Sequence, residues 1–125
     1  MSADKKTILL VEDELQQMKV LSKKLIAEGY EVLHASNGEE AVNIALQDHP
    51  DLILLDIIMP VKDGLTALKE LREDEWGKDA EVIILSNLAV AEKKEEALKQ
   101  GAGDYLVKSD WTLDDIVVKV RDRLA

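Results

Sequence analysis

Apolar residues fall into two kinds of pattern along the chain. Five runs are short, continuous and β-prone, at 7–11, 31–35, 52–55, 82–85 and 104–107. Each predicts a strand, and the run 52–55, which has no polar break, predicts one buried on both faces. The second run is shorter of apolar residues and more polar, which suits an edge strand. Between the runs the apolar residues recur at helical spacing. Leu15, Met18, Leu21 and Leu25 form one stripe; Ala41, Val42, Ala45 and Leu46 the next; Leu65, Leu68 and Leu71 a third. Leu113, Ile116, Val117, Val120 and Leu124 form the last. The fourth stripe, Val90, Ala91, Ala97 and Leu98, is thin, so that helix is expected to be the least well anchored.

Local signals mark the ends. Gly29 stops the first helix, and Ser36 with Glu39 has capping-box spacing for the second. The third helix is expected to close near Trp76-Gly77, and the fourth to run over 89–100 and stop at Gly101. Thr112 caps the fifth, with Asp114 and Asp115 in its positive first turn. Strands alternating with helices of this length predict a parallel sheet covered on both sides. The expected fold class is α/β, a three-layer αβα sandwich. Its five-stranded sheet has the common single-switch order 2-1-3-4-5.

Length fits one domain, 1–125, with no linker or repeat, and a stand-alone unit without an output domain is expected. The chain has no cysteine, so a disulfide framework, a thiolate zinc site and a thiol nucleophile are excluded. There is no signal-like apolar core near the polar N-terminus and no run of membrane-spanning length, so a cytoplasmic protein is expected. A net charge of −10 disfavours direct contact with nucleic acid or an anionic membrane. It suits a cationic partner or a divalent metal, although most of it serves solubility.

The chemistry lies one step past the strands. Glu12 and Asp13 follow the first, Asp56 the third, Ser86 the fourth and Lys108 the fifth. All fall at the carboxyl edge of the sheet, and the expected order sets the first and third strands side by side. Three converging carboxylates repel one another, and a hard cation such as Mg²⁺ resolves the conflict. Lys108 adds a positive charge and Ser86 a hydroxyl. Such a set suits attack of an aspartate oxygen on phosphorus to give an acyl phosphate. Taken singly, Glu12 and Asp13 read as first-turn acids, Ser86 as a turn residue and Lys108 as a surface lysine; the joint pattern carries the reading.

Four segments in order, Leu10-Val11-Glu12-Asp13-Glu14, Asp56-Ile57-Ile58-Met59-Pro60 with Asp63-Gly64, Ile84-Leu85-Ser86, and 101–108 ending in Tyr105-Leu106-Val107-Lys108, resemble the receiver domain of bacterial response regulators. The resemblance spans essentially the whole chain. It implies that Asp56 accepts a phosphoryl group from a histidine kinase or histidine phosphotransfer protein. Asp13 would ligate Mg²⁺ directly, Glu12 through water, Asp56 itself would be a ligand, and the Ile58 backbone carbonyl would complete the set. Ser86 and Lys108 would contact the phosphoryl oxygens. Tyr105 would be the switch aromatic, turning inward as Ser86 moves. The last two helices and the fifth strand would form the output face for a downstream protein, as a monomer or a phosphorylation-dependent homodimer. Beyond its own phosphorylation and dephosphorylation, such a module is not an enzyme.

The sequence departs from the family at two points. Ser109 stands where proline usually follows the lysine. A cis bond before a non-proline residue costs about 3–4 kcal/mol, so a trans bond is expected there. Asn87 replaces a small residue, and with Leu88 and Met59 it flanks the site. Ile58 and Leu88 are apolar and cannot orient a water, so slow self-dephosphorylation is expected. A haloacid-dehalogenase-type phosphatase would need a second aspartate where Ile58 stands, and a pseudo-receiver would not need the full acidic set. His34, His49 and the run 92–96 read as bland surface or packing features. Trp111 reads as packing beside the Lys108 loop, and Leu15 and Met18 as packing that leaves a face open to a kinase helix.

Overall fold

The computed structural model describes residues 5–88 and 90–125. Residues 1–4, part of the polar N-terminus, and Ala89, the expected start of the fourth helix, lie outside the described residues. Strands are β1 (Thr7–Val11), β2 (Glu31–Ala35), β3 (Leu52–Leu55), β4 (Val82–Ser86) and β5 (Asp104–Val107). Helices are α1 (Leu15–Ala27), α2 (Gly38–Asp48), α3 (Gly64–Arg72), α4 (Ala91–Lys99) and α5 (Leu113–Leu124). All pairings are parallel, in the order β2-β1-β3-β4-β5. The expected α/β fold is the observed one.

The unbroken apolar runs follow from burial on both faces. Along the strands, Leu9, Val11, Ile53, Leu55, Val82 and Ile84 point to one side, where α2, α3 and α4 supply Ala41, Ala45, Leu65, Leu68, Leu71 and Ala97. The alternate residues Ile8, Leu10, Leu52, Leu54, Ile83 and Leu85 point to the other, against Met18, Leu21 and Leu25 of α1 and Ile116, Val117 and Val120 of α5. The sheet is thus wound in opposite senses from β1, and the reversal lies between β1 and β3, where such folds open a crevice at their carboxyl edge.

Several helix ends differ from the sequence expectation. The α2 cap is displaced by one residue: Asn37 accepts the Glu40 backbone N–H at 2.9 Å, and the Glu40 carboxylate, not Glu39, reaches back to the Ser36 N–H at 2.9 Å. The cause is Gly38, whose N–H donates to the Lys62 carbonyl at 2.9 Å. A Cβ there would lie 2.3 Å from that oxygen, so only glycine lets the β3–α3 loop come this close. α3 ends at Arg72, earlier than expected, and a short 3₁₀ turn (Gly77–Asp79) follows. Asp74 accepts the N–H groups of Trp76 and Gly77 and so turns the chain before that residue pair. Thr112 caps α5 in a reciprocal box with Asp115, as expected.

α4 is the least buried helix. Of its expected stripe only Ala97 is buried, while Val90 and Leu98 are 45% and 44% exposed. Its C-terminal end is held by a side chain from another helix. Arg72 donates to the carbonyls of Gln100 (2.5 Å) and Gly101 (3.1 Å) beyond α4, and of Gly77 (2.6 Å) and Ala80 (2.9 Å) before β4. The guanidinium fork is suited to several carbonyls at once. Burial lowers its pKa below the ordinary arginine value, and a guanidinium remains charged in proteins. Truncating it leaves four carbonyls without this donor. Arg72→Ala should therefore lower unfolding free energy by about 2–3 kcal/mol in denaturant titration. A loss below about 0.5 kcal/mol would show that the four contacts do not anchor this end.

Candidate functional site

The site starts from three strand ends. β1 stops at Val11 because Glu12 and Asp13 follow; the Glu12 N–H still pairs with the Ala35 carbonyl at 3.0 Å, which fixes the acid at the sheet edge. β3 stops at Leu55, and the Asp56 N–H donates to the Val11 carbonyl at 3.2 Å. β1 and β3 are neighbours with Val11 opposite Leu55, so the residues after them meet. Carboxylate oxygens of Glu12, Asp13 and Asp56 all lie within 4.8 Å of one another. Glu12 and Asp56 are buried and Asp13 is exposed.

Lys108 begins a 3₁₀ turn directly after β5 and reaches across the edge. Its ammonium contacts Glu12 Oε1 and Asp56 Oδ2, the latter at 3.4 Å. Among the described residues no peptide bond is cis, so the Lys108–Ser109 bond is trans as expected, and the lysine still reaches the acids. Burial raises the Glu12 carboxyl above its ordinary 4.5. The Lys108 ammonium and the Glu14 N–H pull it down, and the Asp56 charge adds to the rise.

The β3–α3 loop cradles Asp56. The Ile58 N–H donates to Asp56 Oδ1 at 3.2 Å. Gly64 N–H donates to the Ile57 carbonyl at 2.9 Å, and a Cβ on Gly64 would lie 2.0 Å from the Asp56 carbonyl oxygen, so the start of α3 is pressed against the acid's own backbone. Between these points the Lys62 N–H bonds the Pro60 carbonyl at 2.7 Å, with Val61 at the apex at φ 68°. A β-branched residue is strained there, and the Gly38 and Gly64 contacts on either side hold it. Ile58 and Val61 are 58% and 78% exposed, and Met59 packs partly into the core.

On the other side, Ser86 is fully buried as the last residue of β4, and its hydroxyl oxygen accepts the Leu88 N–H at 3.2 Å. Ser86 pairs with Val107, one residue before Lys108. Asn87 is exposed, and Leu88 is half-buried against the core. Tyr105 is also half-buried, and its hydroxyl donates to the Leu88 carbonyl. Burial, and after it the charge of Asp56, raises the Tyr105 phenol above its ordinary 10.0. Sequence reasoning missed one participant: Gln17 of α1, whose amide oxygen accepts from Lys108 Nζ at 2.7 Å. No local signal marks a single glutamine on an exposed helix face, and its partner is 91 residues away.

The donor set fits a hard divalent cation, with carboxylate oxygens close to one another and no nitrogen or sulfur ligand among them. The nearby ammonium gives the site a second, anion-facing side. His34 and His49 lie elsewhere: His34 shares a 2.9 Å bond with Ser22, and His49 stacks on Trp76 with ring centroids 4.5 Å apart. Among the described residues no helix is long and apolar enough to cross a membrane.

The model of the response regulator receiver domain matches residues 8–121. A probable transcriptional regulator, ycf27, of Cyanophora paradoxa is 40% identical over 108 residues, 86% of this chain and 44% of that protein. Response regulator PleD of Caulobacter vibrioides is 36% identical over 116 residues, 93% of this chain and 25% of that protein. The chain thus spans less than half the length of these curated relatives. The structure of response regulator TrrA from Thermotoga maritima, in complex with Mg²⁺ and beryllium fluoride, superposes with a TM-score of 0.84. It is 36% identical, and the match covers 95% of this chain and 99% of that one. Fold, carboxylate cluster and sequence agree, and the chain belongs to the response regulator receiver domain family of two-component systems.

Proposed function

We propose that Asp56 accepts a phosphoryl group in a Mg²⁺-dependent reaction, from a histidine kinase or a histidine phosphotransfer protein. The observation that carries this is the meeting of Glu12, Asp13 and Asp56 beside the Lys108 ammonium. An Asp56 carboxylate oxygen attacks the donor's phosphorus; the O–P bond forms as the P–N bond to the donor imidazole breaks, leaving an acyl phosphate on Asp56. Asp13, Asp56 and the Ile58 carbonyl would hold Mg²⁺ directly and Glu12 through water. Bound there, the cation neutralises charge on the phosphoryl oxygens. The Ile58 N–H on Oδ1 fixes the carboxylate's orientation. Lys108 and the Ser86 hydroxyl supply the remaining contacts to the transferred group.

The same reading assigns the output. Ser86 drawn toward a phosphoryl group would give up its bond with the Leu88 N–H, and Tyr105 is tied to the Leu88 carbonyl, so both ends of this loop answer to the site. α4 follows because so little of it is buried. The face formed by α4, β5 and α5 would then change its affinity for a downstream protein or a second copy of this chain, as a population shift. Ile58 and Leu88 offer no polar atom on their side chains to align an attacking water, so the acyl phosphate is long-lived.

Intact mass after incubation with acetyl phosphate and Mg²⁺ tests the acceptor. One added phosphoryl group is expected, absent without Mg²⁺ and in Asp56→Asn, and persisting for minutes after the donor is removed. No adduct in wild type under conditions where beryllium fluoride also fails to bind would contradict phosphoryl acceptance, and decay within seconds would contradict the long lifetime.

Tyr105 gives a pH signature. Its folded pKa is raised, so its contribution to stability is whole below the unfolded value of 10.0 and is lost as pH rises through the folded value. The phenolate absorbance assigned to Tyr105, by difference from Tyr105→Phe, should titrate above 10.0 and move only part of the way down in Asp56→Asn, since burial is the larger cause. Titration at or below 10.0 would contradict the partial burial of the ring.

A further inference from the structure

The structure assigns Gln17 as a positioning residue for Lys108, holding the ammonium so that one N–H faces the Asp56 carboxylate. This rests on the phosphoryl-acceptor reading. A lysine ammonium has three N–H donors and no acceptor. Three oxygens lie around this one: Glu12 Oε1 in close contact, Gln17 Oε1 at 2.7 Å and Asp56 Oδ2 at 3.4 Å. Two donors are therefore committed to firm bonds. The third points toward Asp56 across a gap too long for a full hydrogen bond, on the side where a transferred group would sit. Because an ammonium can only donate, the amide atom facing it must be the oxygen of Gln17.

The tether comes from the opposite side of the sheet edge. Gln17 lies in the first turn of α1, and the turn bearing Lys108 follows β5, with Trp111 and Leu113 closing the groove between α1 and α5. Glu12 is itself fixed, since its second oxygen accepts the Glu14 N–H at 3.2 Å. The lysine stem is long and flexible, and two fixed acceptors reduce the freedom it must lose when it engages phosphate. A neutral amide does this without adding a fourth carboxylate to a site that already has three. Ser109 places no ring constraint after Lys108, so orientation of the ammonium depends on its side-chain partners.

The test compares Gln17→Met, which keeps the length and removes the acceptor, with Gln17→Glu, which keeps an acceptor oxygen. Gln16→Met, in the same groove without a contact to Lys108, is the control. The first readout is the ¹⁵N ammonium signal of Lys108 in metal-free protein at low temperature, assigned by its loss in Lys108→Arg. The second is the initial rate of phosphorylation by acetyl phosphate at saturating Mg²⁺. Gln17→Met should lose the slowly exchanging ammonium signal and phosphorylate roughly three- to tenfold more slowly, the range of one net hydrogen bond. Gln17→Glu should retain the signal, and Gln16→Met should match wild type in both. A wild-type ammonium already in fast exchange, or Gln17→Met with signal or rate unchanged, overturns the assignment. A signal that behaves as expected in protein that takes no phosphoryl group upholds the Gln17 contact and overturns the acceptor reading, so the two failures are distinct.

Discussion

Three carboxylates cluster at the carboxyl edge of the sheet, two of them in contact with one ammonium, and the architecture around them keeps that cluster in place. The groups are gathered by strand order. β1 and β3 are neighbours only because the winding reverses between them, and each ends where its next residue is an acid. Burying acids and gathering like charges both oppose folding; the Glu12 pKa is raised chiefly by burial, with the Asp56 charge a small addition. A group raised in this way contributes its full stability below 4.5 and loses it as pH rises through the folded value. At neutral pH the buried Glu12 carboxylate therefore costs stability, and its bond to Lys108 offsets part of that cost.

The rest of the fold divides into a firm part and a loose part. β1, β3 and β4 are buried on both faces, and the β3–α3 loop is clasped by close backbone contacts at Gly38 and Gly64. That rigidity fixes Asp56 even while Val61 sits in a strained conformation beside it. On the opposite side, α4 buries one alanine and is held at its C-terminal end by Arg72. Its N-terminal end follows the loop that carries Leu88, which bonds both Ser86 and Tyr105. A firmly held carboxylate beside a loosely seated helix is the arrangement a small local event needs in order to have a distant effect.

Much of this was legible in the sequence because the strong signals are local. Unbroken apolar runs such as 52–55 identify doubly covered strands, and the acid or lysine after each run marks the edge without any knowledge of contacts. The thin stripe of α4 foretold its exposure. What the sequence did not reveal depends on close approach between distant segments. The cap of α2 is displaced to Asn37 because Gly38 packs on the Lys62 carbonyl. α3 stops at Arg72 rather than near Trp76, since Asp74 turns the chain first. The reach of Gln17 to Lys108 joins residues with no shared local pattern.

The clustered charge suits a divalent cation and costs the cation-free fold some stability. Thermal unfolding of wild type and Asp13→Asn, each in chelator and in millimolar Mg²⁺, tests this most directly. Asp13 is exposed, so its replacement removes charge from the cluster with little change in packing. In chelator Asp13→Asn should melt a few degrees higher than wild type, as relief of repulsion of about 1 kcal/mol implies for a domain of this size. Mg²⁺ should then raise the wild-type midpoint and leave the variant nearly unchanged. A variant that melts lower in chelator, or that gains as much from Mg²⁺ as wild type, would contradict the claim.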